Sequence, residues 1–560
     1  MNELLSDKIE KRIYDILPHE PEAMTEALFI MAMGAYYLWR MFAITPQYDE
    51  LYTYYNFISR GPIYSAIHWP LPNNHVGYSV LSAILDYTGN PYIGLRGVSY
   101  LCAVFNLYLV YRISRRYFAH GLALGASILY ASMQVVNEYS VQGRGYSLAA
   151  TCFLLSVYCA GYICSIDETP MHYYVLLSLS FVLGLYTVPS SIYWVVPVAL
   201  AIMSYLLINA IGSLDAREKI SDSSYFKKFK RAFWYGFVAA LITVFLYVLI
   251  WLSIGSNLLL KTEGYKYYNT SHFTIILHAP FSAIIEGARY MLDQPYIQSV
   301  SASDFKAGCL SWALSLFNYM IPRTGYTLFF VMIAALIIAI IECIRHYAYS
   351  RTVINLICAF NIVITTFMLI VQKKLPYLRV FSYFAAVICF CICICAEWFI
   401  NIMIRVYNKR VLKNFLDTHQ ESERVRADKW YSGIGVYIPL ILICVLFIIR
   451  FASPSFNAQL AQRETDVYST LFIAGVENKE NIAVLDCDQQ YLLKFGWDVD
   501  CIKTDVDGAD CVIIDKNMLT PGYSGGDFWK YYQTYETIDW DYIDSMRPIY
   551  ENENFILYVK

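Results

Sequence analysis

The sequence predicts a polytopic α-helical membrane protein that carries a small α/β domain at its C-terminal end. Of its 560 residues, 58% are hydrophobic and only 16% are charged, and the mean hydropathy is +0.42. A soluble globular chain carries roughly 25% charged residues. Many apolar runs reach about 20 residues, the length that spans the hydrocarbon core of a bilayer, whereas residues 451–560 contain no such run.

Eleven apolar segments predict the membrane helices. A twelfth apolar segment, residues 75–89, is shorter. As a helix it reaches only about 22 Å, less than the ~30 Å of the hydrocarbon core. We therefore expect it to lie in the outer interface, within a first outer loop at 46–91. The predicted spans lie approximately at 25–45, 92–113, 119–137, 146–166, 172–188, 189–211, 232–254, 325–343, 352–371, 380–404 and 431–450.

The distribution of lysine and arginine sets the predicted orientation. With the N-terminus inside, the basic loops lie in the cytoplasm, as the positive-inside rule requires. If residues 75–89 also spanned the membrane, these loops would move outside, so the rule favours eleven spans. The loops are RISRRYF at 112–118, KKFKR at 227–231, RHYAYSR at 345–351 and the stretch 405–429.

The predicted boundary between the two domains follows the last span. Residues 1–450 form the membrane domain, and 451–560 form an extracytoplasmic α/β domain with the strand-like runs NIAVLD and CVIID. Residues 451–560 hold 19 Asp or Glu against 8 Lys or Arg. The net charge of the whole chain is only -3, and no basic field predicts a nucleic-acid partner.

Polar clusters lie on the predicted outer side of the membrane. Carboxylates, histidines and arginines that gather there suggest a site for an anionic, lipid-borne substrate. Within the spans, charged residues are rare, which argues against a transporter or flippase. The clusters are ITPQYDELYTYYN at 44–56, HWPLPNNH at 68–75, NEYSVQGRGY at 137–146, the loop 255–323 and QKKLPYLR at 372–379.

These stretches resemble the membrane glycosyltransferases of the GT-C class, most closely the relatives of protein O-mannosyltransferases and aminoarabinose transferases grouped as glycosyltransferase family 39. The resemblance covers about the first 190 residues well, and after them only the LPYLR stretch and the general topology. The stretches that carry it are YDELYTYY at 48–55, LPNNHVGYSVLSAIL at 71–85, GLRGVSYLCAVFNLYLVYRISRRYF at 94–118, EYSVQGRGYSL at 138–148 and LPYLRVFSYF at 375–384.

The resemblance implies a hexosyltransferase of the cell envelope, with its active site on the extracytoplasmic face of a multi-pass protein. It would move a sugar from a polyprenyl-phosphate donor to a hydroxyl of a protein, glycan or lipid acceptor, with inversion. Asp49 matches the catalytic Asp of the first outer loop and would act as general base, accompanied by Glu50. The donor phosphate would be bound by Arg144, Arg379 and Lys373.

The resemblance also implies residues that contact the acceptor or the sugar. Asn73, Asn74, His75 and Tyr52 are the candidates. Many relatives have H-P-P-L where this chain has N-N-H-V, so the chain departs from the family pattern at this motif. Relatives differ in metal use, and the sequence shows no His-rich ligand set. A divalent metal remains open as a cofactor.

Two other functions remain open at the level of sequence. An oligosaccharide ligase or polymerase that uses a lipid-pyrophosphate donor shares the fold class. A transporter or flippase of a lipid-linked substrate also gathers charges near the membrane, but it often carries an internal repeat, and none is visible here. Lys373 and Lys374 oppose the positive-inside rule, which favours an anion site there slightly over an error in the topology.

Overall fold

A computed structural model of the chain confirms the predicted fold class, and among its described residues a helix lies in each of the eleven predicted spanning segments. The structure describes residues 20–68, 74–119, 121–165, 168–212, 220–293, 297–299, 305–345, 352–418, 438–457, 466, 469, 470, 472, 481–497, 502–523 and 530–560.

The helices follow one another with short connections. Their bounds are Pro21–Ala43, Tyr48–Asn56, Pro62–Ile67, Val76–Asp86, Pro91–Tyr117, Leu122–Ala131, Gln134–Tyr139, Tyr146–Ile163, Met171–Thr187, Ile192–Gly212, Ser224–Lys261, His272–His278, Pro280–Asp293, Phe305–Met320, Gly325–Arg345, Thr352–Gln372, Phe384–Thr418, Ile438–Phe451, Pro454–Asn457, Cys487–Trp497 and Trp540–Asp544. Single 3-10 turns lie at Ile58–Arg60, Pro189–Ser191, Ile220–Asp222, Leu378–Phe381 and Lys516–Leu519.

Not every predicted span is a full-length helix. Within the described residues, 7 helices are long and apolar enough to cross a membrane, or 8 if the bent pair Pro21–Ala43 and Tyr48–Arg60 is one span. The predicted span 119–137 is broken: the helix Leu122–Ala131 ends at Ser132, and a separate short helix, Gln134–Tyr139, follows it. The predicted interfacial segment 75–89 forms an 11-residue helix, Val76–Asp86, which is too short to span.

The described residues group into two compact units. The first contains residues 1–38, 66–78 and 99–457, and the second contains 39–65, 79–98 and 458–560. Two segments of the predicted membrane domain, one of which carries Asp49, therefore group with the C-terminal residues.

The first unit is a helical assembly with a closely packed interior. In its helix Tyr146–Ile163, 83% of the residues are buried within the protein. The ring of Trp194 lies 5.9 Å from that of Phe153, and Gly184 permits this packing because a Cβ there would lie 2.4 Å from the indole. A two-stranded antiparallel sheet pairs β1, Ile297–Ser299, with β2, Lys374–Pro376. The sheet thus joins the LPYLR stretch at 375–379 to the predicted outer loop 255–323.

The second unit contains a five-stranded sheet near the C-terminus, where the sequence predicts a small α/β domain. The strands β3 Ile482–Val484, β4 Ile502–Lys503, β5 Cys511–Asp515, β6 Arg547–Glu551 and β7 Phe555–Val559 have the order β4-β3-β5-β7-β6. The pairs of β3 with β4 and with β5 are parallel, and the pairs made by β7 are antiparallel.

Both faces of this sheet are covered by apolar side chains. One face packs in a cluster with Leu51 and Ile58 from the first outer loop, and the other packs against residues such as Val506 and Ile543. The short helix Tyr48–Asn56 is thus part of the hydrophobic core of the second unit. This packing, rather than its length, stabilises the helix, because isolated helices of fewer than 12 residues are marginal in water.

Candidate functional site

The two adjacent carboxylates of the first outer loop lie in the first turn of the helix Tyr48–Asn56. Gln47 precedes the helix, and its backbone N–H donates to Oε2 of Glu50 at 2.9 Å, as in a capping box. Asp49 is half-buried. Both carboxylates therefore lie where the N-terminal turn of a helix favours a negative charge.

Glu50 forms a two-point ion pair with Arg96 in the second unit. Nε of Arg96 lies 2.8 Å from Oε1 of Glu50, and Nη2 lies 3.0 Å from Oε2. Both side chains are 1% exposed. Nη1 of Arg96 donates to the carbonyls of Met41 at 2.9 Å and Ile44 at 2.6 Å. The guanidinium therefore joins the end of the first long helix to the helix that carries Asp49.

This arrangement separates the environments of the two carboxylates. Both oxygens of Glu50 accept hydrogen bonds in the interior, whereas the Asp49 side chain is only half-buried. A base must reach the proton that it removes, and a partly exposed carboxylate meets that condition better than one enclosed in an ion pair. The catalytic roles of Asp49 and Glu50 stay predictions, and the geometry favours Asp49 as the reacting group.

Aromatic rings surround the same helix. Tyr52, a predicted sugar contact, is half-buried, and its ring lies 6.0 Å from that of Tyr48. The ring of Tyr48 also lies 6.1 Å from Tyr491 and 5.4 Å from Nζ of Lys530. Lys530 in turn lies 3.4 Å from Asp488. Sequence reasoning missed these C-terminal residues, because only the sheet packing brings them to the first loop.

A second group of predicted residues meets in the first unit. His75 is 5% exposed and Arg144 is 5% exposed. Nδ1 of His75 accepts a hydrogen bond from the backbone N–H of Gly145 at 2.8 Å, and Nε2 lies 3.4 Å from Nη2 of Arg144. The ring of Tyr146 packs edge-on against the imidazole at 4.9 Å.

These contacts determine the charge and the tautomer of His75. Burial, and then the positive charges of Arg144 and Arg379, hold the pKa of His75 well below its usual value of 6.5. The imidazole is therefore neutral at pH 7. Because Nδ1 accepts a hydrogen bond from Gly145, the single ring proton is on Nε2. His75 and Arg144 thus both present N–H groups that can donate hydrogen bonds to an oxygen of an anion.

The loop that carries Arg144 is held by short polar contacts. Ser99 donates to the carbonyl of Gln142 at 2.5 Å, and the backbone N–H of Arg144 donates to the same carbonyl at 2.7 Å. Gly145 lies close to Thr187, since a Cβ at Gly145 would lie 2.5 Å from the Thr187 methyl carbon. The hydroxyl of Thr187 is fully buried, and sequence reasoning did not identify it.

The remaining predicted phosphate ligands differ in their surroundings. Arg379 lies in the turn Leu378–Phe381, is half-buried, and stacks over the ring of Tyr377 at 5.1 Å. Its charge contributes to the lowered pKa of His75, so it belongs to the same electrostatic environment. Lys373 is exposed and adopts a left-handed conformation with φ 50° at the end of the helix Thr352–Gln372.

Of the two asparagines that precede His75, the structure describes only Asn74. Asn74 is 1% exposed, and its side-chain amide donates to the carbonyl of His68 at 2.8 Å. Asn73 lies outside the described residues. In the described part of the chain, no group of three or more His, Cys, Asp or Glu side chains is arranged to hold a metal ion. The predictions for the individual site residues remain predictions.

The chain matches no protein-family model and no curated protein sequence. Its structure is similar to that of ArnT from Cupriavidus metallidurans in the apo state, with a TM-score of 0.53, 11% identity, and coverage of 96% of this chain and 98% of that chain. The structure of ArnT bound to undecaprenyl phosphate gives a TM-score of 0.51 and 12% identity, and covers 95% of this chain and 97% of that chain.

Archaeal oligosaccharyltransferase AglB from Archaeoglobus fulgidus, in complex with an inhibitory peptide and a dolichol-phosphate, is also similar, with a TM-score of 0.43 and 13% identity. That match covers 84% of this chain, and the chain spans 59% of the oligosaccharyltransferase. The likeness to ArnT is one of fold along nearly the whole of both chains. It confirms the GT-C-like fold that the sequence resemblance predicts.

Proposed function

We propose that the protein is a membrane glycosyltransferase that moves a sugar from a polyprenyl-phosphate donor to an acceptor hydroxyl on the extracytoplasmic face of the membrane. The observation that carries the proposal is the buried pair of donors formed by His75 and Arg144, separated by 3.4 Å. A neutral imidazole that donates from Nε2 beside a guanidinium favours a phosphate oxygen. ArnT, with the same fold, binds undecaprenyl phosphate.

The phosphate of the donor is the leaving group in this proposal. Arg144 and Arg379 stabilise the negative charge that develops when the bond between the anomeric carbon and the phosphate oxygen breaks. In a partly dehydrated site this stabilisation exceeds its value in water, because the effective dielectric constant is lower. Lys373, which is exposed, contributes long-range attraction to the anionic donor rather than a buried contact.

Asp49 is the general base of the proposed reaction. It removes the proton of the acceptor hydroxyl as the oxygen attacks the anomeric carbon, and polyprenyl phosphate leaves from the opposite face with inversion. Glu50 does not react but holds the helix of Asp49 through Arg96. Tyr52 stacks on the sugar or acceptor, and Asn73 and Asn74 contact the acceptor or the sugar.

The proposal has a direct test. Membranes that contain the protein are incubated with a panel of radiolabelled polyprenyl-phosphate sugars, and transfer is compared between wild type and Asp49→Asn at equal expression. Loss of the base is expected to reduce transfer by about 100-fold or more. Equal transfer by both proteins would remove Asp49 from the mechanism.

The donor panel also separates the alternatives. It includes polyprenyl-pyrophosphate sugars, so transfer from those donors alone would identify an oligosaccharide ligase or polymerase. Movement of the intact lipid-linked sugar across sealed vesicles, with no transfer to any acceptor, would identify a flippase. Protease protection of tags on the C-terminal residues would test their extracytoplasmic location.

A further inference from the structure

A separate basic and aromatic cluster lies at the opposite end of the helix Pro91–Tyr117 from Arg96, near the loop 112–118 that the positive-inside rule places in the cytoplasm. Arg112 and Arg116 lie one turn apart on one face of this helix, and both are exposed. Arg116 stacks over the ring of Tyr162 at 4.3 Å, and Arg112 lies over Tyr108 at 5.8 Å.

The tyrosines of this cluster also contact one another. The rings of Tyr162 and Tyr173 stack at 4.2 Å with an interplanar angle of 9°, and the hydroxyls of Tyr158 and Tyr162 lie 3.3 Å apart. The hydroxyl of Tyr158 also lies near the guanidinium of Arg112. The cluster is therefore a fixed arrangement of rings and hydroxyls that orients the two guanidinium groups.

A glycine permits the closest of these contacts. A Cβ at Gly161 would lie 2.6 Å from the hydroxyl oxygen of Tyr117 and 3.2 Å from Cδ of Arg116. Any larger residue at position 161 would displace the stem of Arg116 from the helix Tyr146–Ile163, so the close packing of Arg116 depends on this glycine.

In the part of the chain that the structure describes, no carboxylate pairs with the charges of Arg112 and Arg116. Among the described residues, neither forms an ion pair, and their partners are tyrosine rings and hydroxyls. Arg115, three residues after Arg112 on the same helix, forms an ion pair with Glu20 at 2.5 Å. The face of Arg112 and Arg116 therefore carries two exposed positive charges, whereas the charge of Arg115 is paired.

An apolar stripe continues from these charges along the same helix face. Leu101, Phe105 and Tyr108 precede Arg112 at helical spacing, and their side chains are 58%, 41% and 43% exposed. A stripe of this kind on a spanning helix faces lipid chains. A free phosphate ion would not use it, whereas a phospholipid would use both the charges and the stripe.

We propose that Arg112 and Arg116, with Tyr158 and Tyr162, bind the headgroup phosphate of an anionic phospholipid whose acyl chains lie along the stripe of Leu101, Phe105 and Tyr108. Each basic residue near the membrane surface binds anionic lipids with a favourable electrostatic free energy. Two such residues are enough to select anionic phospholipids over zwitterionic ones. This site is independent of the proposed glycosyl transfer and of the donor-binding residues.

The test measures binding of phosphatidylglycerol to the purified full-length protein in phosphatidylcholine nanodiscs. We expect phosphatidylglycerol to bind the wild type and raise its thermal stability. Arg112→Gln and Arg116→Gln are each expected to weaken the apparent affinity about 5-fold, and together roughly 25-fold. The matched control Arg115→Gln removes a charge three residues from Arg112 and is expected to change the affinity less than 2-fold, roughly.

Several results would overturn the proposal. An equal loss in Arg115→Gln would show attraction to net charge rather than a site. Full competition by soluble glycerol phosphate would identify a free phosphate site, and binding of polyprenyl phosphate in preference to phosphatidylglycerol would identify a site for the lipid carrier. Circular dichroism of each variant in detergent checks the fold, and Tyr158→Phe, which keeps the ring and removes one hydroxyl, tests the site without a change of charge.

Discussion

Arg96 binds Glu50 through two parallel hydrogen bonds of 2.8 and 3.0 Å, and neither side chain is more than 1% exposed. The same guanidinium donates to two carbonyls at the end of the helix Pro21–Ala43. An arginine in this position is a structural clamp. It fixes the first turn of the helix that carries Asp49, so the second carboxylate of the Asp-Glu pair supports the first.

Removal of the Glu50 carboxylate should reduce the free energy of unfolding far more than removal of a carboxylate from a partly exposed ion pair. Glu50→Ala leaves the Arg96 charge buried without its carboxylate, which is expected to reduce the free energy of unfolding by about 3–5 kcal/mol. The control is Glu286→Ala, which breaks an ion pair with Arg289 whose side chains are 21% and 62% exposed and should cost about 0–1 kcal/mol. Urea denaturation in detergent micelles, followed by tryptophan fluorescence, compares them. Equal losses would show that the buried pair does not stabilise the fold.

His75 should act as a hydrogen-bond donor and not as an acid or base. His75→Gln keeps a donor near Nε2 and is expected to keep most of the transfer activity. His75→Phe removes the donor and should raise the apparent KM for the lipid donor about 10- to 100-fold, the factor for a hydrogen bond to a charged group. Steady-state kinetics over a range of donor concentrations separates KM from kcat. A fall in kcat alone, with an unchanged KM, would contradict the binding role.

The low pKa of His75 also predicts a dependence of stability on pH. Because the folded-state pKa lies below 6.5, the neutral form stabilises the fold above that pH, and this stability is lost as the pH falls from 6.5 towards the folded-state pKa. Wild type should therefore lose more thermal stability than His75→Phe when the pH is lowered from about 7 to about 5. Parallel melting curves of both proteins give the difference, and parallel losses would contradict the assignment of a buried neutral imidazole.

Gly145 should tolerate no side chain. A Cβ at this position would lie 2.5 Å from the methyl carbon of Thr187 and 3.1 Å from Cβ of His75, so Gly145→Ala must displace the loop of Arg144. We expect a loss of about 1–3 kcal/mol, as for other overpacked positions, together with loss of transfer. Gly236→Ala is the matched control, because no atom lies within 4 Å of its Cβ position and alanine favours the helix. Similar melting temperatures for the two variants would contradict the packing argument.

The sequence predicts the membrane helices well because an apolar run of spanning length is a local property. It does not show the break at Ser132, since no proline or glycine marks it. The partner of Glu50 lies 46 residues away, and the amide that fixes the tautomer of His75 lies 70 residues away, so neither contact has a local signal. One signal was present: Glu50 follows Gln47 by three residues, the spacing of a capping box, which indicates a structural role for Glu50. In the structure Glu50 supports the helix that carries Asp49, and the catalytic role of Asp49 stays a prediction.

The C-terminal sheet offers a last prediction, at Asp486, which directly precedes the helix Cys487–Trp497. Asp486 is 5% exposed and accepts hydrogen bonds from the backbone N–H groups of Asp488 and Gln489 at 2.7 and 2.9 Å. Burial, opposed in part by these bonds and strengthened by the charge of Asp515, raises the pKa of Asp486 to about 6. A raised pKa means that the protonated form stabilises the fold, so this contribution is fully present below pH 3.8 and is lost as the pH rises through about 6.

Asp486→Asn should therefore make the second unit more stable at neutral pH. Asparagine caps a helix as well as aspartate does, and it removes the buried charge, so we expect a gain of about 1–3 kcal/mol at pH 7. Hydrogen exchange of the amides in β3 and β5, corrected for intrinsic rates at pH 5 and pH 7, measures this gain in stability. Wild type should gain protection as the pH falls, and the variant should not. The control Asp507→Asn changes an exposed carboxylate and should behave as wild type. If Asp486→Asn is instead less protected than wild type at pH 7, the carboxylate is ionised and stabilises the helix N-terminus by its charge.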